Sequence, residues 1–267
     1  MNQRKILLVA GGTGGHLFPA QRLRTLLEET GRYEVLFAGA GLKKSPFFQG
    51  ASFEIEAAPP SRPLSFLWRG MKGLFKSLKL LFTFRPHLVV GFGSYHAFPT
   101  LLAARLFGAK IALFEANCVL GRVNRLFAKG AVSVGAQFPL SANRLFPTPL
   151  LPWKEEERGI EKQEAREALG LKPDVTTLLI FGGSQGAKFL NEILPKVARE
   201  LKKRGVEFQV LHLTGRGNTV LYEGIDGVVK EFEGEMPIAY KAADIAICRA
   251  GAGTVAELIR FSVPSLL

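Results

Sequence analysis

"KILLVAGGTGGHLFPAQRL", residues 5–23, decides how the rest of this chain is read. An apolar run breaks into the glycines of Gly11–Gly15 and passes at once into a helical pattern. Strand, glycine turn and helix start in that order gather backbone N–H groups at the positive end of a helix, an arrangement that cradles phosphate. His16 closes the loop with an imidazole that titrates near neutral pH.

The same grammar recurs. "YEVLFAGA", "HLVVGFG", "KIALFEA" and "GAVSVGA" follow in the first half, and "TTLLIFGG", "FQVLHLTG", "DGVVKEF", "DIAICRAG" and "PSLL" in the second. These runs are apolar at nearly every position, as in parallel strands covered on both faces, and they alternate with helical patterns. The expected fold class is α/β, with two doubly wound, Rossmann-like domains at 1–150 and 151–267, joined by a Pro- and Glu-rich linker around 147–160. "VPSLL" reads as a buried strand with no helix to cover it, so the second domain is expected to be truncated.

Four glycine junctions stand at strand ends: Gly11–Gly15, Gly91–Gly93, Gly182–Gly186 and Gly251–Gly253. All four are expected to line one crevice. They fit neither common nucleotide fingerprint. A dinucleotide motif starting at Gly12 meets Leu17 where its third glycine belongs, and a P-loop fails because Phe189 follows Lys188. Neither a dehydrogenase nor an NTPase is therefore expected.

The chain has 267 residues, 47% of them hydrophobic, and a net charge of +12. The charge is lopsided: residues 1–150 hold 19 Lys and Arg against 6 Asp and Glu, the remainder 16 against 17. An anionic partner is expected on the first half. The first apolar run is too short for a secretory signal, and Cys118 and Cys248 lack metal-ligand spacing. A reduced, cytoplasmic protein is expected.

"GGTGGHLFPA", "GFGSYHAFPTLLAARLFGAKIALFEANCVLGRVNRLFAKGA", "FGGSQGAKFLNEILP", "LHLTGRGN" and "EFEGEMPIAYKAADIAICRAGAGTVAELIRFSVPSLL" together resemble glycosyltransferase family 28. The resemblance is to the N-acetylglucosaminyltransferases that convert lipid I into lipid II in peptidoglycan synthesis. It implies a GT-B fold with a cleft between two Rossmann-like domains. It also implies inverting transfer from UDP-N-acetylglucosamine to undecaprenyl-diphosphate-linked muramoylpentapeptide, with no metal or other cofactor.

For the donor, the resemblance points to Thr13, Gly14, Gly15, Asn117, Ser184, Gln185 and Glu233, and to Ala252, Gly253, Thr254, Val255, Ala256 and Glu257. For the acceptor diphosphate it points to Gly11, Gly12, Gly14, Gly93, Ser94 and Tyr95. His16 is the expected catalytic residue. Its chemistry leaves two roles open, general base toward the acceptor hydroxyl or a group that binds phosphate and orients substrate. The chain departs from the family pattern at Ala116, Ser94 and Leu151, the last standing where a donor-contacting arginine is usual. A transferase for another lipid acceptor and an inactive membrane-docked fragment are the alternatives.

"LSFLWRGMKGLFKSLKLLFTFRP", residues 64–86, carries five Lys and Arg and no acid. Leu67, Met71, Phe75, Leu78 and Phe82 recur at helical spacing, with Leu74 and Leu81 widening the stripe. Charges interrupt it too often for a spanning helix. It is expected to lie on an anionic membrane through Leu67, Trp68, Met71, Lys72, Phe75, Lys76, Lys79 and Phe82. An ordinary helix covering the sheet is the other reading. The expected location is peripheral, on the cytoplasmic face of the bacterial inner membrane. No nucleic-acid partner is expected, because the aromatic and basic residues interleave on a helix rather than on a sheet face.

Overall fold

Parallel pairing runs through both sheets of the protein. The structure, a computed structural model, describes residues 3–12, 14–43, 45, 48, 50–59, 61–141, 144–148, 159–183 and 186–267. The chain divides into two compact units, Met1–Leu151 and Pro152–Leu267.

The first unit runs β1 (Arg4–Val9), α1 (Gly14–Glu29), β2 (Tyr33–Gly39), β3 (Phe53–Glu54), α2 (Pro63–Phe84), β4 (Leu88–Gly91), α3 (Phe98–Phe107), β5 (Ile111–Glu115), α4 (Arg122–Ala128), β6 (Ser133–Ala136), β7 (Leu145–Pro147). Its sheet order is β3-β2-β1-β4-β5-β6-β7. Side chains alternate across a strand, so Leu7 and Val9 join the core beneath α2 and α3, while Ile6 and Leu8 join the one beneath α1. Both faces are covered, which is why "KILLVA" is apolar throughout.

The second unit runs α5 (Lys162–Ala168), β8 (Thr177–Phe181), α6 (Lys188–Lys203), β9 (Gln209–Leu213), β10 (Gly227–Lys230), α7 (Met236–Ala242), β11 (Ile245–Cys248), α8 (Ala252–Phe261), β12 (Ser265–Leu266). Its order, β10-β9-β8-β11-β12, repeats the pattern of the first sheet. Leu179, Phe181, Leu211 and Leu213 pack toward α7 and α8, and Leu178, Ile180 and Val210 toward α6.

Two sequence expectations are corrected. Pro147, expected to open the linker, instead ends β7, which pairs with β6. An edge strand needs hydrogen bonds on one side only and so tolerates Pro147. "VPSLL" is not a buried strand: Val263 is buried, but Ser265 and Leu266 are exposed. β12 pairs with β11, and neither of its side chains reaches the core.

The apolar stripe of α2 also divides. Leu80 and Leu81 are buried in the core, with Leu74 and Leu78 packed against it, whereas Leu67, Trp68, Met71, Phe75 and Phe82 are exposed. Leu81 and Leu78 thus belong to the sheet side. Gly73 brings the helix flat against the chain, since a Cβ there would lie 2.1 Å from the carbonyl oxygen of Glu56. The helix stops at Arg85, which adopts φ +51 ahead of Pro86.

Candidate active site

The strand orders fix where the glycine loops meet. In each sheet the order reverses between two neighbours, β1 and β4 in the first, β8 and β11 in the second. Ligands of open α/β sheets bind beyond the carboxyl ends of the strands at such a reversal. Gly11–Gly15 follows β1 and Gly91–Gly93 begins at the end of β4, whereas Gly182–Gly186 follows β8 and Gly251–Gly253 follows β11. The four loops therefore form two pairs, one in each unit.

In the first unit the pair converges on His16, in the first turn of α1. Its Nδ1 lies 2.8 Å from the carbonyl oxygen of Phe92. A carbonyl only accepts, so Nδ1 carries the proton and Nε2 keeps its lone pair. Burial pushes the imidazole pKa below its usual 6.5, and the Phe92 carbonyl and the Glu115 carboxylate offset this only in part. The ring is therefore neutral at neutral pH, with a basic Nε2. Gly93 separates His16 from Asn124: a Cβ at its φ of +79 would stand 3.4 Å from Asn124 Nδ2 and 3.6 Å from His16 Cε1.

The second loop is braced by His96. Its ring packs on Gly12, where a Cβ would come within 3.0 Å of it, and Tyr95 stacks on it with centroids 3.9 Å apart. Nδ1 lies 2.8 Å from the hydroxyl of Ser94, itself at φ +67. Burial and the neighbouring His16 hold His96 at a pKa of about 4.

Glu115, buried at the end of β5, organises the adjoining loop. Its Oε1 accepts from the backbone N–H and side-chain amide of Asn117, at 3.1 and 2.8 Å. Its Oε2 accepts from the Gly121 N–H and from Asn124 Nδ2, at 2.8 and 2.9 Å. One carboxylate thus orients Asn117 and ties down the start of α4 with charge-assisted bonds.

In the second unit Gly251 caps α8, whose first intrahelical bond runs from Val255 N–H to the Gly251 carbonyl at 2.9 Å. Ala252, Gly253 and Thr254 are half-buried in that first turn. The Val255 side chain lines an apolar groove with Leu258 and Ile259. Glu257 Oε2 accepts from the Tyr240 hydroxyl at 2.6 Å, and burial raises the carboxyl pKa despite that bond. Glu233 lies beyond β10, its carboxylate engaged by Lys230 at 2.9 Å and by the Glu235 N–H at 2.9 Å. Thr13, Ser184, Gln185 and Leu151 lie outside the described residues.

On α2, Lys72 sits over the Trp68 ring at 5.0 Å and Lys76 pairs with Glu56 at 2.8 Å. No helix among the described residues is long and apolar enough to cross a membrane. Nor does any cluster of His, Cys, Asp and Glu among them have an arrangement that could hold a metal ion.

Sequence reasoning missed His96, Asn124 and Tyr240. His96 stands in the quoted loop, and a polar Asn124 among apolar and basic neighbours was a readable signal. Tyr240 gave none, since its role depends on the packing of α7 against α8.

Residues 6–136 match the glycosyltransferase family 28 N-terminal domain and residues 177–267 its C-terminal domain. The chain is 35% identical to the UDP-N-acetylglucosamine–N-acetylmuramyl-(pentapeptide) pyrophosphoryl-undecaprenol N-acetylglucosamine transferase of Protochlamydia amoebophila, covering 99% of this chain and 75% of that protein. It is 34% identical to the Thermus thermophilus protein of the same name, over 98% and 79%. The crystal structure of Acinetobacter baumannii MurG superimposes with a TM-score of 0.69 at 28% identity, covering 99% of this chain and 78% of that one.

Proposed function

The chain belongs to glycosyltransferase family 28 and has its two-domain α/β GT-B fold, and from that premise we infer that it transfers N-acetylglucosamine from UDP-N-acetylglucosamine to lipid I, forming lipid II. The observation that carries the mechanism is the His16–Phe92 contact, which leaves an unprotonated Nε2 at the strand reversal of the first unit. The first unit binds the acceptor, its diphosphate held by the N–H groups of Gly11, Gly12, Gly14, Gly93, Ser94 and Tyr95. His16 Nε2 takes the proton from the muramoyl 4-hydroxyl as that oxygen attacks the anomeric carbon, and UDP leaves from the opposite face with inversion.

The second unit binds the donor. The diphosphate accumulates charge as the bond breaks, and the N–H groups of Ala252, Gly253 and Thr254 at the start of α8 stabilise it. Glu257 Oε1 accepts from the ribose hydroxyls while Tyr240 holds Oε2 in place. Thr13, Gly14, Gly15, Asn117, Ser184, Gln185, Glu233, Val255 and Ala256 complete the donor set, Asn117 aimed by Glu115.

The lipid-linked acceptor explains the lopsided charge. The exposed Leu67, Trp68, Met71, Phe75 and Phe82 enter the interface of the cytoplasmic leaflet, and Lys72, Lys76 and Lys79 meet its anionic headgroups.

The test is transfer of radiolabelled N-acetylglucosamine to a lipid I analogue. Labelled disaccharide product supports the reading. No transfer, or transfer only to an unrelated lipid such as diacylglycerol, overturns it.

A further inference from the structure

The second unit contains a buried polar relay that lies outside the residues assigned to substrate contact. His212, in β9, is fully buried and stands two residues beyond Val210, on the face that packs toward α6. Its Nδ1 lies 2.8 Å from the Tyr222 hydroxyl and its Nε2 lies 3.1 Å from Asn191 Oδ1. Asn191 Nδ2 in turn donates to the Thr214 carbonyl at 2.9 Å. That carbonyl only accepts, so it fixes the Asn191 amide with its oxygen toward His212. His212 then donates from Nε2 and accepts at Nδ1 from Tyr222, which satisfies every member and gives the relay one direction.

The relay ends against the glycine loop. Gly186, at φ +74, lies so close to the Thr214 carbonyl that a Cβ would stand 2.0 Å from its oxygen. The Gly186 N–H donates to the Gly183 carbonyl at 2.9 Å, and the Asn191 N–H to that of Ala187 at 3.0 Å. Asn191 therefore joins the first turn of α6 to the end of β9 against which the loop leans.

We propose that His212 is a positioning residue of the donor site: through Asn191 it holds the Thr214 carbonyl, and with it Gly186 and the start of α6, beside which the sugar nucleotide binds. The inference rests on the transferase reading above. His212 touches no substrate, and burial holds its pKa at about 4, so it serves as a neutral link and not as an acid or base.

Calorimetric titration of UDP into the full chain tests this, with steady-state kinetics for both substrates. His212→Phe keeps the ring and removes both nitrogens, whereas His212→Gln returns an amide N–H near the place of Nε2. His212→Phe weakens UDP binding by about tenfold, the effect of one lost buried hydrogen bond. It raises KM for the sugar nucleotide similarly and leaves KM for the lipid acceptor unchanged, and His212→Gln restores both donor parameters. Should His212→Phe fail to fold, His212→Asn takes its place, since its amide does not reach Asn191. Wild-type UDP affinity in the Phe variant overturns the proposal, even alongside a lower melting temperature. A Gln variant as weak as Phe, or both KM values rising together, overturns it too. If the wild-type chain binds no UDP, the transferase reading falls first and the proposal with it.

Discussion

His16 Nδ1 and the Phe92 carbonyl oxygen are 2.8 Å apart across 76 residues of chain, and that contact decides which ring nitrogen is basic. His16→Ala is expected to lower kcat by about 10²- to 10⁴-fold, the usual range for a positioned general base. Burial depresses the folded pKa, so the base form persists below 6.5 and is lost only as pH falls through the lowered value. The acid limb of kcat/KM against pH therefore lies below 6.5. An acid limb above that value, or undiminished transfer by the Ala variant, refutes the assignment.

Glu115 accepts four hydrogen bonds from Asn117, Gly121 and Asn124. In Glu115→Gln one acceptor oxygen becomes an N–H2 facing donors. Replacing charge-assisted bonds in this way costs about 2 kcal/mol of stability. Because Asn117 loses its aim, kcat falls as well. Urea denaturation and turnover measured together check this, and a Gln variant equal to wild type in both would show that the carboxylate organises nothing.

The Tyr240 hydroxyl holds Glu257 Oε2. Tyr240→Phe keeps the ring in the core and frees the carboxylate, so KM for the donor rises several-fold with the acceptor KM unchanged. Glu257→Gln, which also removes the charge, raises donor KM by about tenfold or more. Equal KM values in all three proteins would remove Glu257 from the ribose.

Trp68 and Phe75 are exposed on α2, away from its sheet-covering side, so replacing them spares the fold. Trp68→Ser and Phe75→Ser are each expected to weaken partition onto anionic vesicles by about tenfold, as loss of a buried aromatic requires. Added salt weakens the wild type too. Flotation that is indifferent to both variants and to salt would place the membrane contact elsewhere.

His96 and His212 both titrate near 4 in the folded chain, against 6.5 for an ordinary histidine. Between those values the unfolded chain binds more protons, so stability rises with pH and is lost on acidification from 6.5 toward 4. Urea midpoints measured across that window should fall steadily. Replacing both histidines with glutamine should reduce the slope, leaving the part that His16 contributes, and a flat wild-type profile would show that neither imidazole is held neutral.

Much was legible in the sequence because strand periodicity and glycine breaks are local. A residue run apolar on both faces demands cover on both faces, which yields parallel strands, crossover helices and phosphate-type loops at their ends. The glycine loops of Gly11–Gly15 and Gly251–Gly253, the position of His16 at a helix start and the helical nature of residues 64–84 follow from that reasoning. Where it erred, at Pro147 and "VPSLL", composition was asked to tell a strand from a linker and a buried residue from an exposed one, and both depend on which neighbours the fold supplies.

What only the tertiary structure decided is non-local. The order of parallel strands is set by how crossovers pack, and it alone pairs the loops after β1 and β4, and those after β8 and β11. The same packing selects the side of α2 that is buried at Leu81 and leaves Phe75 outside. It also brings Phe92 to His16, Tyr240 to Glu257 and Asn191 to His212. Sequence spacing determined the elements and the chemistry each end could offer. The proton on Nδ1 of His16 and the direction of the His212 relay exist only because folding brought a carbonyl, which can accept and never donate, within hydrogen-bonding reach.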